Sequence, residues 1–184
     1  MLPDSPEILS AVHDALAASL SLTGSEATLC LFRSWADPLP PPPPPSRNIC
    51  YYDLQTDPDA PLLQEQEYFP DISARFSFVP CRLTLVFYGP DCEAWAHRCR
   101  LYLFQDGHGF PLSILRQAGL YPVPSPRPPS VVYEELAKVH RKRADLTVHL
   151  CLADHSAYGP ADGSDPVPVP QVRVPPGILL HRDS

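Results

Sequence analysis

The chain has 184 residues, of which 26 are Pro and 8 Gly, and its 14 Lys and Arg against 21 Asp and Glu give a formal net charge of −7. That length supports one domain and its core rather than two, and with an ordinary apolar fraction of 44% the surplus proline has to fall in loops and tails. Net acidity argues against a general nucleic-acid clamp, and no apolar run approaches the ~18 residues of a membrane-spanning helix.

In chain order, Ser5 reads as an N-cap, Pro6 as the first helical position and Glu7 as a first-turn carboxylate. Ile8, Leu9, Val12, Leu16 and Leu20 then recur at helical spacing, so a helix is expected over 6–21 with Gly24 as its stop. A strand is expected over Ala27 to Trp35, ending at Asp37-Pro38. Pro40, Pro41, Pro42, Pro43, Pro44 and Pro45 follow without interruption, which predicts a stiff, exposed polyproline II excursion. Ile49 to Tyr52 returns as a strand, and the polar stretch from Asp53 to Phe69 reads as a second loop.

Ala74 to Tyr88 carries Phe76 and Phe78 in one phase and Leu83, Leu85 and Phe87 in the other, predicting one long strand bent or bulged at Val79-Pro80. Asp91 caps the next helix, where Trp95, Cys99 and Tyr102 mark the apolar face and Gly107 and Gly109 the end. A short helix is expected from Phe110 to Ala118, closed by Gly119, and then a loop rich in proline from Pro122 to Pro129. Val131 to Arg143 stays open between helix and strand, because Glu134, Glu135, Leu136 and Ala137 favour one and Val131, Val132, Tyr133 and Val139 the other. Leu146, Val148, Leu150 and Leu152 alternate with polar neighbours, the pattern of a strand with one buried face.

These elements make an α/β (α+β) single domain over 1–153. It has a mixed, mostly antiparallel sheet flanked by two or more helices, a Pro-rich loop at 36–48 and an extended Pro/Gly-rich C-terminal tail at 154–184. The N-terminus has no basic region followed by an apolar core, so no secretory signal and a reducing cytosol are expected. Cys30, Cys50, Cys81, Cys92, Cys99 and Cys151 form no C-x-x-C pair and are expected to be mostly buried, free and apolar in role.

Little in the chain points to chemistry. Cys92 and Cys99 share a helix face but His97 points elsewhere, which argues against zinc, and no phosphate-cradling glycine motif occurs. No catalytic, cofactor-binding or metal-binding residue is expected, and the chain reads as non-enzymatic. Lys138, Arg141, Lys142 and Arg143 place four fixed positive charges in six residues, a solvated segment or an electrostatic contact with an acidic neighbour or DNA phosphates. The proline run is either a rigid loop tip or a ligand for an aromatic groove.

Two segments resemble the phage neck or tail terminator (tail-completion) family. One is Phe76 to Phe104, where a strand ending in Phe87-Tyr88-Gly89-Pro90-Asp91 enters a helix as at the family's Y-G-x-[ND]-A turn, with Cys92 in place of Ala. The other is Tyr133 to Leu152, where Arg143-Ala144-Asp145-Leu146-Thr147-Val148 is similar to the family's R-A-x-L-x-[VL] strand, and His140 replaces an aromatic. The likeness covers roughly residues 6 to 155; the proline run and tail are departures from it.

The resemblance implies a non-enzymatic virion subunit that forms a hexameric ring, terminates the tail tube and joins it to the head-side connector. Its partners would be other copies of itself, the tail-tube protein, the head-completion or connector protein and, where one surrounds the tube, the sheath. Genomic DNA would pass through the lumen, and assembly would take place in the host cytoplasm without a membrane. Under that reading Lys138, Arg141, Lys142 and Arg143 are expected near an interface or the lumen, and Pro40 to Pro45 in an inter-subunit loop. The alternatives are a cytosolic proline-rich adaptor and, behind it, a hydrolase using a Cys/His pair.

Overall fold

The computed structural model describes residues 3–36, 40, 42–44, 46–57, 77–104, 110–123, 127–136 and 139–154. Its helices are α1 (Pro6–Leu20), α2 (Gly24–Cys30), α3 (Cys92–Phe104) and α4 (Phe110–Gln117). The strands are β1 (Leu31–Arg33), β2 (Ile49–Thr56), β3 (Ser77–Tyr88), β4 (Leu120–Val123), β5 (Ser130–Leu136) and β6 (Val139–Asp154).

Helix α1 follows its apolar spacing and buries Ile8, Val12, Leu16 and Leu20. Ser5 caps it with its carbonyl, which accepts from Leu9 N at 3.0 Å, and not with its hydroxyl. The stop is Ser21, held in the left-handed region at φ 58, and not Gly24. Gly24 instead opens α2, so the strand expected from Ala27 begins only at Leu31. A local polar device decides this: Glu26 Oε2 accepts from Thr23 N at 2.9 Å and from Thr23 Oγ1 at 2.7 Å, the reach-back of a capping box. That capping outweighs the strand-like composition of the segment.

The six strands form one open sheet in the order β1-β2-β3-β6-β4, with β5 also paired to β6. Only β1 and β2 run parallel; every other pair is antiparallel. Strand β6 is the central rail. One edge of it pairs with β3 from Ser77↔Asp154 to Tyr88↔Arg143, and the other carries β4 toward its C-terminal end and β5 toward its N-terminal end. The fold is therefore the α+β arrangement that the sequence implies.

The register also corrects three expectations and decides one that sequence leaves open. Pairing of β3 with β6 is continuous through Pro80, so no bulge intervenes. Strand β2 stops at Thr56, opposite Cys81, and the Pro80 carbonyl accepts from Asp57 N at 2.9 Å, so the proline's missing N–H falls where the neighbouring ladder ends. Asp53 to Thr56 belong to β2 and not to a loop. Pro122 lies inside β4, a four-residue outer strand, where proline is tolerated because one side of the backbone needs no partner. Of the segment left open between helix and strand, Val131 to Leu136 and Val139 to Arg143 are strand, because β5 and β6 pair antiparallel as far as Leu136↔Val139.

One face of the sheet carries the core. Cys81, Leu83, Leu85 and Phe87 of β3 and Ala144, Leu146, Val148 and Leu150 of β6 are buried, together with Cys50, Tyr52 and Leu54 of β2. Helix α3 packs on β3 and β6, and α1 packs on α3 and α4. The buried stripe of α3 is Cys92, Ala96, Cys99 and Leu103, with Trp95 at its margin; Tyr102 is half-buried and outside it. The proposed end of that helix at Gly107 and Gly109 lies outside the described residues.

Candidate functional site

The pairing of β5 with β6 outruns the rest of the sheet. Strand β3 ends at Tyr88↔Arg143, whereas β5 and β6 continue through Tyr133↔Lys142, Glu134↔Arg141 and Glu135↔His140 to Leu136↔Val139. A two-stranded ribbon thus projects past the turn that follows β3. A lone ribbon of this kind is marginal in water unless something packs against it.

The proline run does so. Arg141 Nη1 donates to the Pro43 carbonyl, and Pro43 is buried while Pro42 is exposed. Pro44, Tyr88, Gly89, Pro90, His140 and Arg141, with Lys142, line a half-open cleft of about 170 Å³ at this junction. The two features that the sequence singled out separately therefore meet, 98 residues apart along the chain. The expected free excursion is instead anchored, at Pro43, to β6 of the same chain. Pro40 is half-buried; Pro41, Pro45 and Lys138 lie outside the described residues.

The basic residues are engaged individually. Arg143 Nη1 donates to Glu134 Oε2 at 2.5 Å and Nη2 to Asp145 Oδ2 at 3.1 Å, and Tyr88 OH donates to Glu134 Oε1 at 2.6 Å. Burial pushes the Tyr88 phenol up, and its bond to Glu134 adds to this. Burial opposes the Arg143 charge, yet Tyr88, Asp145 and Glu134 outweigh it and the net shift is upward. Lys142 Nζ pairs with Glu93 Oε2 at 2.8 Å; the hydrogen bond raises the lysine and lowers the carboxyl. Lys142 and Arg143 are thus matched by carboxylates, which leaves these two charges poorly suited to gripping phosphates by charge alone.

Polar contacts also fix the turn leading into α3. Asn48 Nδ2 donates to Asp91 Oδ2 at 3.1 Å, and Asp91 N donates to Asn48 Oδ1 at 2.9 Å. The Asp91 carboxylate, expected to cap α3, is thereby tied to the segment after the proline run. Gly89 has φ +112, and a Cβ there would stand 2.5 Å from the Arg47 carbonyl and from Asn48 Oδ1. Only glycine fits that close approach.

The Arg143-Ala144-Asp145 segment alternates across the sheet: Ala144 enters the core, while Arg143 and Asp145 lie on the opposite face with Tyr51 and Tyr88, whose rings meet edge-on at 5.8 Å. At this end Arg141 Nε, Arg143 Nε and Asp145 Oδ1 are buried without a hydrogen-bond partner among the described residues. Tyr88, Glu134, Asn48 and Asp91 were not identified as a group from sequence, because no spacing relates them.

A second polar group lies on the same face near the far end of the sheet. Asp57 is buried at 4% exposure; its Oδ2 is 3.0 Å from His149 Nδ1, and Oδ1 is 4.0 Å from Arg82 Nη1. Cys151 shares that face two residues along β6, but burial raises its thiol, the wrong direction for an activated nucleophile. Among the described residues no three His, Cys, Asp or Glu side chains gather as a metal site. The sequence matches none of the known protein-family models and none of the curated proteins with which it was compared.

Proposed function

We propose that this chain is a structural subunit of a phage neck that closes into a ring, terminates the tail tube and joins it to the head-side connector. The observation that carries the reading is the convergence of the proline run on a ribbon projecting from a rigid sheet, which sets an anchored, directional contact end on a stable scaffold. A heterologous contact repeated about a rotation axis closes a ring, and this end is where such a contact is least costly to the core. The order of strand, Tyr-Gly turn, helix and Arg-Ala-x-Leu strand supports the family likeness, because both resembling segments, β3 with α3 and β5 with β6, border this end.

The adaptor alternative needs the prolines free to enter another protein's groove. Burial of Pro43 and its bond to Arg141 count against it. Mixing the purified chain with purified tail tubes and imaging the ends by electron microscopy tests the proposal. Rings capping one end and halting growth are the expected result; bare, growing tubes at saturating protein would overturn it.

A further inference from the structure

Among the described residues the sheet has free outer edges at β1, β4 and β5, and they differ in kind. Strand β1 has three residues and its first N–H is already bonded to the Ala27 carbonyl; β4 is interrupted by Pro122. Strand β5 is a seven-residue edge, Ser-Val-Val-Tyr-Glu-Glu-Leu, with Val131 at 38% and Tyr133 at 77% exposure. It carries no proline or bulge, two devices by which an edge is ordinarily kept from accepting another strand, and of its two charges Glu134 is held by Tyr88 and Arg143 while Glu135 is exposed. Among the described residues nothing pairs with its outer side.

The sequence beyond β6 contains a segment with matching properties. In Pro166-Val167-Pro168-Val169-Pro170-Gln171-Val172-Arg173-Val174 the prolines fall at alternate positions. In an extended chain this puts every missing N–H on one side and leaves Val167, Val169 and Gln171 to pair on the other. Such a strand can add to an edge and cannot be extended further. Its one charge, Arg173, complements the exposed Glu135.

We infer that the outer edge of β5 receives residues 166–174 of a neighbouring copy as an added strand; the inference deepens the assembly reading and rests on it for the second copy. Chain length favours exchange over self-insertion. Asp154 is nine residues along β6 from Asp145, the partner of Ser130, a distance of roughly 30 Å. It is fifteen from Val139, the partner of Leu136, or roughly 50 Å. Residues 155–165 reach about 40 Å at full extension. A chain's own tail can therefore meet β5 only at Ser130, running parallel to it and drawn to roughly three-quarters of its full reach. A neighbour's tail can take the antiparallel direction, which is slightly the more stable pairing.

Hydrogen exchange on the full-length chain, without tubes, tests this in the wild type, in Val167→Pro with Val169→Pro, and in Pro168→Ala. The double substitution removes pairing N–H groups, whereas Pro168→Ala alters only the outer side. The expected result is β5 exchange at least about tenfold slower in the wild type and in Pro168→Ala than in the double variant, with the slowing increasing with protein concentration. Equal exchange in all three proteins would overturn the inference, and so would slowing independent of concentration, which would place the strand on its own copy. Because no tube is present, concentration-dependent slowing supports the strand exchange even if the tube-capping experiment fails.

Discussion

The helix-covered middle of the sheet and its projecting end are stabilised by different physics. In the middle, Leu83, Leu85, Phe87, Leu146, Val148 and Leu150 are essentially closed to solvent, and each such side chain contributes on the order of 1.5–3 kcal/mol through burial alone. That contribution is non-directional and spread over many neighbours. The end depends instead on a few directed contacts: Arg141 to Pro43, Arg143 to Glu134 and Asp145, Asn48 to Asp91, and Lys142 to Glu93. Changes there can reshape a surface while leaving the fold intact, which is what an assembly contact requires.

The contrast is broken most severely from the core side. Phe87→Ala empties a fully buried site and is expected to cost about 3–5 kcal/mol, read as a lowered denaturation midpoint with unchanged slope. Arg143→Glu comes next, because it sets a third carboxylate against Glu134 and Asp145 in a position only 29% exposed; about 2–4 kcal/mol is expected by the same measurement. A loss above that range would place Arg143 with the core residues. Gly89→Ala forces a Cβ toward the Arg47 carbonyl and should cost about 1–3 kcal/mol, with altered amide shifts confined to residues near Asn48 and Asp91.

The smallest effect belongs to Lys142 and Glu93. The glutamate is held below its ordinary 4.5 and the lysine above its ordinary 10.5 by their mutual bond. The pair's contribution is therefore complete between about those two pH values, fades as pH falls through the lowered carboxyl, and fades again as pH rises through the raised ammonium. Both side chains are partly exposed and so open to solvent screening, and Lys142→Ala should flatten the acid limb of the stability curve only slightly. A large change would show that this pair, too, belongs to the structural core.

Much of the middle was legible from periodicity. The apolar spacing of α1 and the alternation of β6 each reflect burial against one face, and burial is what periodicity records. Helix α2 was missed because Ala27 to Cys30 looks like strand and the decision lies with Thr23 and Glu26 just before it. Pro122 concealed β4 because composition cannot tell an outer strand from a loop. Val131 to Arg143 was ambiguous because its state is set by pairing of β5 with β6, which local propensity does not encode.

The site was half legible. The prolines and the basic residues stood out by composition, but their meeting depends on how far β5 and β6 outrun β3, a property of register. Sequence also suggested exposed, available charges. Folding supplies carboxylate partners for Lys142 and Arg143 from Glu93, Glu134 and Asp145.

The central claim is that the projecting end makes the assembly contact while the helix-covered core supports it. Hydrogen exchange of the chain bound to tail tubes, compared with the chain alone, addresses it most directly. The account predicts new protection concentrated in residues 46–48, just after the proline run, and 133–143, with α1 and α4 unchanged. Binding that protects α1 and α4 while leaving both of those segments exchanging freely would contradict it.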